Sequence, residues 1–197
     1  MFSHAVEALF ERAFRGEVTE RCKARLRRAG VDLDRPLLPA YPIAVWLAAL
    51  EITVAELLPH LPRQEAYREM GARLLRGYVH TLLGRANFSL LRLLGPVRAL
   101  ERLTAHLRAN NNFQETRLTQ LGATEWELWI NTAVSEPAYY EGLLQAALQE
   151  VGAQNPRVGA GVRSDQGCTY RVTWGSQPLE TQPPREDRLP GRQPGGA

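Results

Sequence analysis

Apolar side chains recur at helical spacing throughout the first 109 residues. The segment 43–58 shows this most clearly, because its apolar positions follow an i, i+3, i+4, i+7 rhythm from Ile43 to Leu58. Glycine, proline and asparagine interrupt the rhythm and divide it into separate helices. The pattern predicts helices at 3–15, 20–29, 42–58, 63–83, 86–94 and 97–109.

The spacing of apolar residues changes from helical to alternating after Asn112. Trp126 and Leu128 alternate with Glu125 and Glu127, as in a strand with one buried face. The remaining pattern predicts a hairpin of 113–121 and 124–132, a helix at 137–151 and two closing strands at 156–163 and 168–174. The fold class that follows is α+β, with an amino-terminal helical layer packed on a four-stranded antiparallel sheet of ββαββ order.

Length and composition favour one domain. At 197 residues and 44% apolar content, the chain can bury a sizeable core. The predicted elements fill residues 1–174, which we interpret as a single α+β domain that binds a ligand or a partner. Residues 175–197 hold five prolines and four glycines with almost nothing apolar, and are predicted to form a disordered tail.

Charge is distributed unevenly between the helical and sheet halves. Residues 1–109 contain 17 basic and 11 acidic side chains, whereas residues 110–174 contain 4 and 7. This asymmetry favours head-to-tail contacts between copies or a charged partner. The most basic run, Arg21–Arg28, lacks interleaved aromatic residues and any DNA-binding motif. We interpret it as a solvated helix face and expect no nucleic-acid binding.

The cysteines and the apolar runs indicate a reduced, aqueous setting. Cys22 and Cys168 lie far apart and show no zinc-binding or redox spacing. Residues 1–7 carry no secretory signal pattern. The longest apolar run, Ile43–Leu50, is far shorter than the ~20 residues that cross a bilayer. The sequence therefore predicts a cytoplasmic protein with no membrane span.

No signature of catalysis or metal binding is present. The chain has no Gly-x-Ser-x-Gly elbow, no phosphate-binding loop and no His-Glu-x-x-His motif. His4, His60, His80 and His106 are not at metal-ligand spacing. A catalytic nucleophile and base that only folding brings together would leave no such motif in the sequence, so this alternative stays open. We expect no enzyme activity, no catalytic residues and no metal site.

Two glycines interrupt the predicted helix at 63–83. Gly71 and Gly77 each cost about 0.5–1 kcal/mol relative to alanine in a helix interior. That cost indicates a compensating interaction on the same face of the helix. Either another helix crosses closely there, or a ligand lies against the glycine.

Five segments of the chain resemble one family in register. They are Leu-Asp-Arg-Pro-Leu-Leu-Pro-Ala-Tyr-Pro (33–42), Leu-Arg-Leu-Leu-Gly-Pro (91–96), Asn-Asn-Phe-Gln-Glu-Thr-Arg-Leu (111–118), Glu-Leu-Trp (127–129) and Gly-Cys-Thr-Tyr-Arg-Val-Thr-Trp (167–174). Over residues 1–174 the chain resembles a myxobacterial paralogous family of unknown function, which occurs in many copies per genome. That family is distantly similar to haem nitric-oxide/oxygen-binding (H-NOX) sensors, vinyl-reductase-like small-molecule-binding domains and transport-particle subunits. The resemblance implies a helical layer on a four-stranded antiparallel sheet, often with an apolar cavity between them.

The distant similarity to haem sensors implies an alternative function. In those sensors the proximal histidine lies on the helix before the sheet, where this chain has His106. At 100° per residue, however, His106 lies about 110° from the centre of the apolar stripe of its helix. The sensors' Tyr-x-Ser-x-Arg clamp for the haem propionates has no match in the chain. We therefore expect no cofactor, and keep a haem-based gas sensor using His106 as the alternative.

These observations lead to a hypothesis of function. We expect a non-enzymatic sensory or regulatory module that binds a small apolar ligand, or a protein partner on an exposed face. A ligand-free interaction scaffold is a third hypothesis, and the related small-molecule domains imply a homodimer or a paralogue as partner. An ordinary core role is the competing interpretation for each aromatic candidate in the pocket. The candidates are Trp46, Tyr67, Gly71, Tyr78, Phe113 and Trp126.

Overall fold

Helices occupy most of the chain before residue 111, and a four-stranded sheet follows. The computed structural model describes residues 1–131, 134 and 136–175, apart from the side chains of 103, 104, 106 and 108–110. The predicted disordered tail, beyond residue 175, lies outside the described residues. None of the helices that the structure describes has both the length and the apolar character to cross a membrane.

The first helix changes its hydrogen-bond period after one turn. α1 (Ser3–Val6) continues as a π-helical segment, Glu7–Ala13. The wider turn closes where the Phe14 N–H donates to the Leu9 carbonyl oxygen at 3.0 Å, five residues back. The predicted helix at 3–15 is therefore present, with a wider turn in its second part.

The ends of the second helix follow local chemistry that the sequence predicts. α2 (Glu20–Ala29) begins where the Thr19 side chain accepts a hydrogen bond from the Cys22 N–H at 3.2 Å. It ends at Gly30, whose φ of 104° lies in the left-handed region that glycine adopts without strain. Both ends agree with the predicted helix at 20–29.

Three longer helices form most of the helical layer. They are α3 (Ile43–Leu57), α4 (Arg63–Val79) and α5 (Leu82–Asn110). α4 ends earlier than predicted, because the Thr81 side chain accepts a hydrogen bond from the Gly84 N–H at 3.0 Å and caps the next helix. The helices predicted at 86–94 and 97–109 are two arms of α5, which breaks at Gly95 with a φ of 75°.

The sheet begins with the predicted hairpin. β1 (Thr116–Gly122) and β2 (Glu125–Asn131) are antiparallel, with Leu118 opposite Leu128. One helix and two strands follow, namely α6 (Ala138–Glu150), β3 (Arg157–Arg163) and β4 (Gly167–Thr173). The strand order is β1-β2-β4-β3, and every neighbouring pair is antiparallel. The predicted α+β class and ββαββ order are confirmed.

One face of the two central strands is buried. α6 contacts β3 and also packs along α4, so it connects the sheet to the helical layer. Apolar side chains that alternate along β2 and β4 point to this buried face. They are Trp126, Leu128, Ile130, Cys168, Tyr170 and Val172.

Glycines allow the helices to cross closely. An ideal Cβ at Gly71 of α4 would overlap the carbonyl oxygen of Tyr139 in α6. An ideal Cβ at Gly142 of α6 would in turn overlap the carbonyl oxygen of Arg68 in α4. A Cβ at Gly77 would likewise overlap the carbonyl oxygen of Ala8 in the π-helical segment. Of the two interpretations of the helix glycines, the structure therefore supports close helix crossing at both positions.

Candidate ligand-binding site

A cavity of about 100 Å³ lies within the helical layer. α5 and α6 provide half of its lining residues, including Phe88, Leu100, Leu144 and Leu148. No strand residue of the described part of the chain lines it. The cavity therefore lies among the helices, whereas the family resemblance implied a position between helices and sheet.

The size of the cavity restricts what it can hold. Its volume of about 100 Å³ is below the ~300 Å³ at which pockets for drug-sized ligands begin. It is closer to the ~150 Å³ of an engineered apolar cavity that binds benzene or xenon. In this conformation the cavity fits a compact molecule with few non-hydrogen atoms.

Three buried polar side chains form a hydrogen-bonded relay in the cavity wall. The Asn111 side-chain amide donates to Gln114 Oε1 at 2.6 Å, and the Gln114 amide donates to the Tyr140 hydroxyl at 2.5 Å. Asn111 Oδ1 also accepts from the Gln114 N–H at 2.8 Å, which fixes the turn after α5. These polar groups are therefore already paired with one another.

Tyr139 and Tyr140 are neutral phenols in the cavity wall. Burial raises the pKa of both hydroxyl groups above the ordinary value for tyrosine. Their rings meet edge to face, with centroids 5.0 Å apart. Among the described lining residues no side chain is charged, and the one charged group is the Met1 amino group, which donates to the Tyr41 carbonyl oxygen. A charged ligand would therefore lose its hydration here without gaining a side chain of opposite charge.

A second, more open depression of about 410 Å³ adjoins the cavity. Met1 and Phe113 line both spaces and thus lie between them. The Met1 amino group donates to the Tyr41 carbonyl oxygen at 2.8 Å, and the Tyr41 N–H donates back to the Met1 carbonyl oxygen at 2.8 Å. The inner cavity is the better candidate site, because its walls are mostly buried side chains.

The structure places three of the six predicted pocket residues at the cavity, namely Trp46, Tyr78 and Phe113. The three that do not line it are Tyr67, Gly71 and Trp126. Tyr67 instead lies beneath the guanidinium group of Arg63, whose carbon is 5.0 Å from the ring centroid. That these six residues bind a ligand stays a prediction.

Sequence reasoning did not select the polar part of the cavity wall. Asn111, Gln114 and Tyr140 were not among the predicted pocket residues, although Tyr140 lies in the helix predicted at 137–151. The neighbouring Tyr139 is also buried, because α4 packs along α6. The available signal was the absence of charged residues from Pro137 to Tyr140, which indicates a helix start buried on more than one side.

The described residues offer little for metal or thiol chemistry. No three histidine, cysteine or acidic side chains among them are grouped closely enough to hold a metal ion. Cys22 and Cys168 are both buried and free. Burial raises the pKa of each thiol, which disfavours the reactive thiolate.

The fold is similar to that of H-NOX proteins. An S. oneidensis H-NOX protein in the Fe(II) ligation state shares 15% identity with this chain, with a TM-score of 0.62 over 91% of this chain and 98% of the other. An Fe(II) unliganded H-NOX mutant from K. algicida shares 9% identity, with a TM-score of 0.63 over 89% and 97%. At such identities the likeness shows the fold alone. Among curated proteins, none matches this chain.

A family model matches nearly the whole described chain. The family described as Protein of unknown function (DUF2378) matches residues 1–175. This range contains every helix and strand of the fold and the entire cavity wall. It also agrees with the span of residues 1–174 over which five sequence segments resembled such a family. The chain therefore belongs to the DUF2378 family of proteins of unknown function.

Proposed function

We propose that this domain is a non-enzymatic sensory module that binds a small, uncharged, mostly apolar ligand in the cavity among its helices. The observation that carries the proposal is the cavity itself, with walls of buried apolar side chains from several helices. A ligand that fills such a space removes its own apolar surface from water, worth about 25 cal/mol per Å². Because α5 and α6 both line the cavity, occupancy can bias how these two helices pack.

The chemistry of the wall supports binding rather than catalysis. The cavity contains no paired nucleophile and base among its described lining residues. Its two buried tyrosines keep their protons, and each member of the relay from Asn111 to Tyr140 has a hydrogen-bond partner within the protein. We place the protein in the cytoplasm, which its free, buried cysteines support.

The H-NOX-like fold favours a haem-based gas sensor as a second candidate function. A haem does not fit the residues present, because the cavity holds about 100 Å³ and no described lining residue has a charged side chain to pair with a propionate. The backbone of His106 is part of α5, but its side chain lies outside the described residues. We therefore propose that the domain works without haem.

Absorption spectroscopy separates these two candidates. We expect freshly purified full-length protein to show no Soret band, with or without added haemin, because the cavity is too small and its described wall has no charged side chain. A Soret band that His106→Ala abolishes would contradict the proposal and establish the haem sensor.

An exposed apolar face supports a partner-binding role as a third candidate. In the first arm of α5, Leu82 is 80% and Leu93 85% exposed, and Leu83, Leu90 and Leu94 are exposed beside them. Contiguous apolar patches of this kind often mark interaction sites. If this face joins two copies, light scattering gives twice the chain mass for the wild type and the monomer mass for Leu93→Glu.

Extraction of the purified protein tests the main proposal. Denaturing extraction followed by mass spectrometry should release a small, uncharged organic molecule from the wild type. A variant that fills the cavity, Ala99→Leu, should release none, because Ala99 lines the cavity and is buried. Equal amounts of the molecule from both proteins would contradict binding in the cavity.

A further inference from the structure

We propose that the ligand carries a hydrogen-bond-accepting oxygen, such as that of a small ketone or ester, and that the Tyr139 hydroxyl and the Trp46 indole N–H bind this oxygen. The inference rests on the proposed function, because it names the ligand class for the same cavity. It follows from which polar groups of the wall are paired within the protein and which are not.

Most polar side chains of the wall have partners in the protein. The amides of Asn111 and Gln114 are paired along the relay to Tyr140. The Tyr78 hydroxyl accepts a hydrogen bond from the Asn87 side-chain amide at 2.9 Å. Each of these groups therefore has at least one partner within the protein, and the Tyr140 hydroxyl, which accepts from Gln114, keeps a proton that it donates to no described residue.

Two donors of the cavity wall remain without such partners. Tyr139 is 3% exposed and Trp46 is 1% exposed, and both line the cavity. Neither the Tyr139 hydroxyl nor the Trp46 Nε1–H forms a hydrogen bond with any residue that the structure describes, and neither atom is fully covered by the protein. Polar groups inside a protein are nearly always paired, so two accessible donors in a cavity wall indicate a partner inside the cavity.

The chemistry of these two groups selects the partner. The indole N–H is only a donor, so the ligand has to supply an acceptor. The raised pKa of Tyr139 keeps its hydroxyl protonated, and it can therefore donate as well. An anionic acceptor such as a carboxylate is disfavoured, because no side chain of the described lining residues is positively charged and the Met1 amino group donates to the Tyr41 carbonyl oxygen. An uncharged carbonyl, ester or ether oxygen on a compact apolar body satisfies all of these requirements.

A pair of probes of matched shape tests the inference on the full 197-residue chain. Cyclopentanone and methylenecyclopentane differ only in the exchange of an oxygen atom for a CH₂ group. Their dissociation constants are measured by NMR titration of ¹⁵N-labelled wild type, Tyr139→Phe and a control, Tyr67→Phe. The control removes a hydroxyl from another buried tyrosine of the helical layer, which does not line the cavity.

The measured quantity is the ratio of the affinities for ketone and hydrocarbon. This ratio should fall about three- to tenfold in Tyr139→Phe, the effect of losing one hydrogen bond, and should stay at the wild-type value in Tyr67→Phe. Affinity for the hydrocarbon should be the same in all three proteins, because the wall keeps its shape.

Two different failures can be told apart. If both probes bind but the ratio is unchanged in Tyr139→Phe, or falls equally in Tyr67→Phe, the assignment of the ligand oxygen to Tyr139 is overturned while the cavity remains a binding site. If neither probe binds the wild type, the proposed function and this inference are both overturned.

Discussion

The backbone carbonyl oxygen of Tyr139 occupies the position that a side chain at residue 71 would need. An ideal Cβ at Gly71 would overlap this oxygen and lie 3.0 Å from the carbonyl carbon. α4 and α6 therefore approach each other backbone to backbone. The contact also fixes the start of α6, where the Tyr139 side chain contributes to the cavity wall. One glycine thus determines both helix packing and the position of a proposed ligand-binding group.

Gly71→Ala should therefore destabilise the protein. The added methyl group forces α4 and α6 apart, and overpacking of this kind costs about 1–3 kcal/mol of the free energy of unfolding. Urea denaturation of wild type and variant measures the loss. Gly159→Ala is the control, because a Cβ there meets no atom within 4 Å. Equal denaturation midpoints for Gly71→Ala and wild type would show that the helices do not cross closely at this residue.

Stability should decrease at alkaline pH. Burial raises the pKa of Tyr139 and Tyr140, so the folded protein retains protons that the unfolded chain loses above about pH 10. Stability is therefore complete below pH ~10 and decreases as pH rises, by about 1.4 kcal/mol per pH unit for each such tyrosine. Urea denaturation from about pH 8 to 11 measures how steeply the free energy of unfolding falls with pH. The fall should be shallower in Tyr139→Phe, and an unchanged fall would refute the contribution of this residue.

Gln114→Leu should destabilise the protein by breaking the relay in the cavity wall. The substitution leaves the buried Tyr140 hydroxyl without the amide that donates to it at 2.5 Å. An unsatisfied buried polar group of this kind costs about 1–3 kcal/mol. Thermal or urea denaturation measures the change, and Gln120→Leu is the control, because Gln120 of β1 is exposed. A similar small effect of both substitutions would mean that the relay contributes little to stability.

Periodicity was sufficient to predict the elements and their layers. The alternation through Trp126 and Leu128 located β2, and the observed pairing of Leu118 with Leu128 confirms the hairpin. Local capping chemistry decided a boundary that periodicity missed, because Thr81 caps α5 and thereby ends the helix predicted to continue to residue 83. The strand order β1-β2-β4-β3 depends on how α6 crosses the sheet, which no local pattern encodes.

The candidate site was harder to predict than the fold, because burial alone does not say what a residue packs against. Tyr67 and Tyr78 lie on the same apolar stripe of α4, about three turns apart. Both are buried, but only Tyr78 reaches the cavity, whereas Tyr67 contacts Arg63. Which neighbour covers each turn of a helix is decided by tertiary packing. The pattern of apolar residues in a single sequence carries no information about that packing.

Filling the cavity should abolish ligand binding without unfolding the protein. Ala99 lies in the second arm of α5 and lines the cavity, so Ala99→Leu replaces empty space with side-chain atoms. Ala55→Leu makes the same substitution at an exposed position of α3 and is the matched control. A dispersed amide NMR spectrum for each variant verifies that it is folded before any titration.

Titration of ¹⁵N-labelled wild type, Ala99→Leu and Ala55→Leu with methylenecyclopentane tests the binding cavity most directly. Amides around the cavity, such as those of Leu100 and Leu144, should shift saturably in wild type and Ala55→Leu. They should not shift in Ala99→Leu. Saturable shifts of equal size in Ala99→Leu, or none in the wild type, would contradict ligand binding in this cavity.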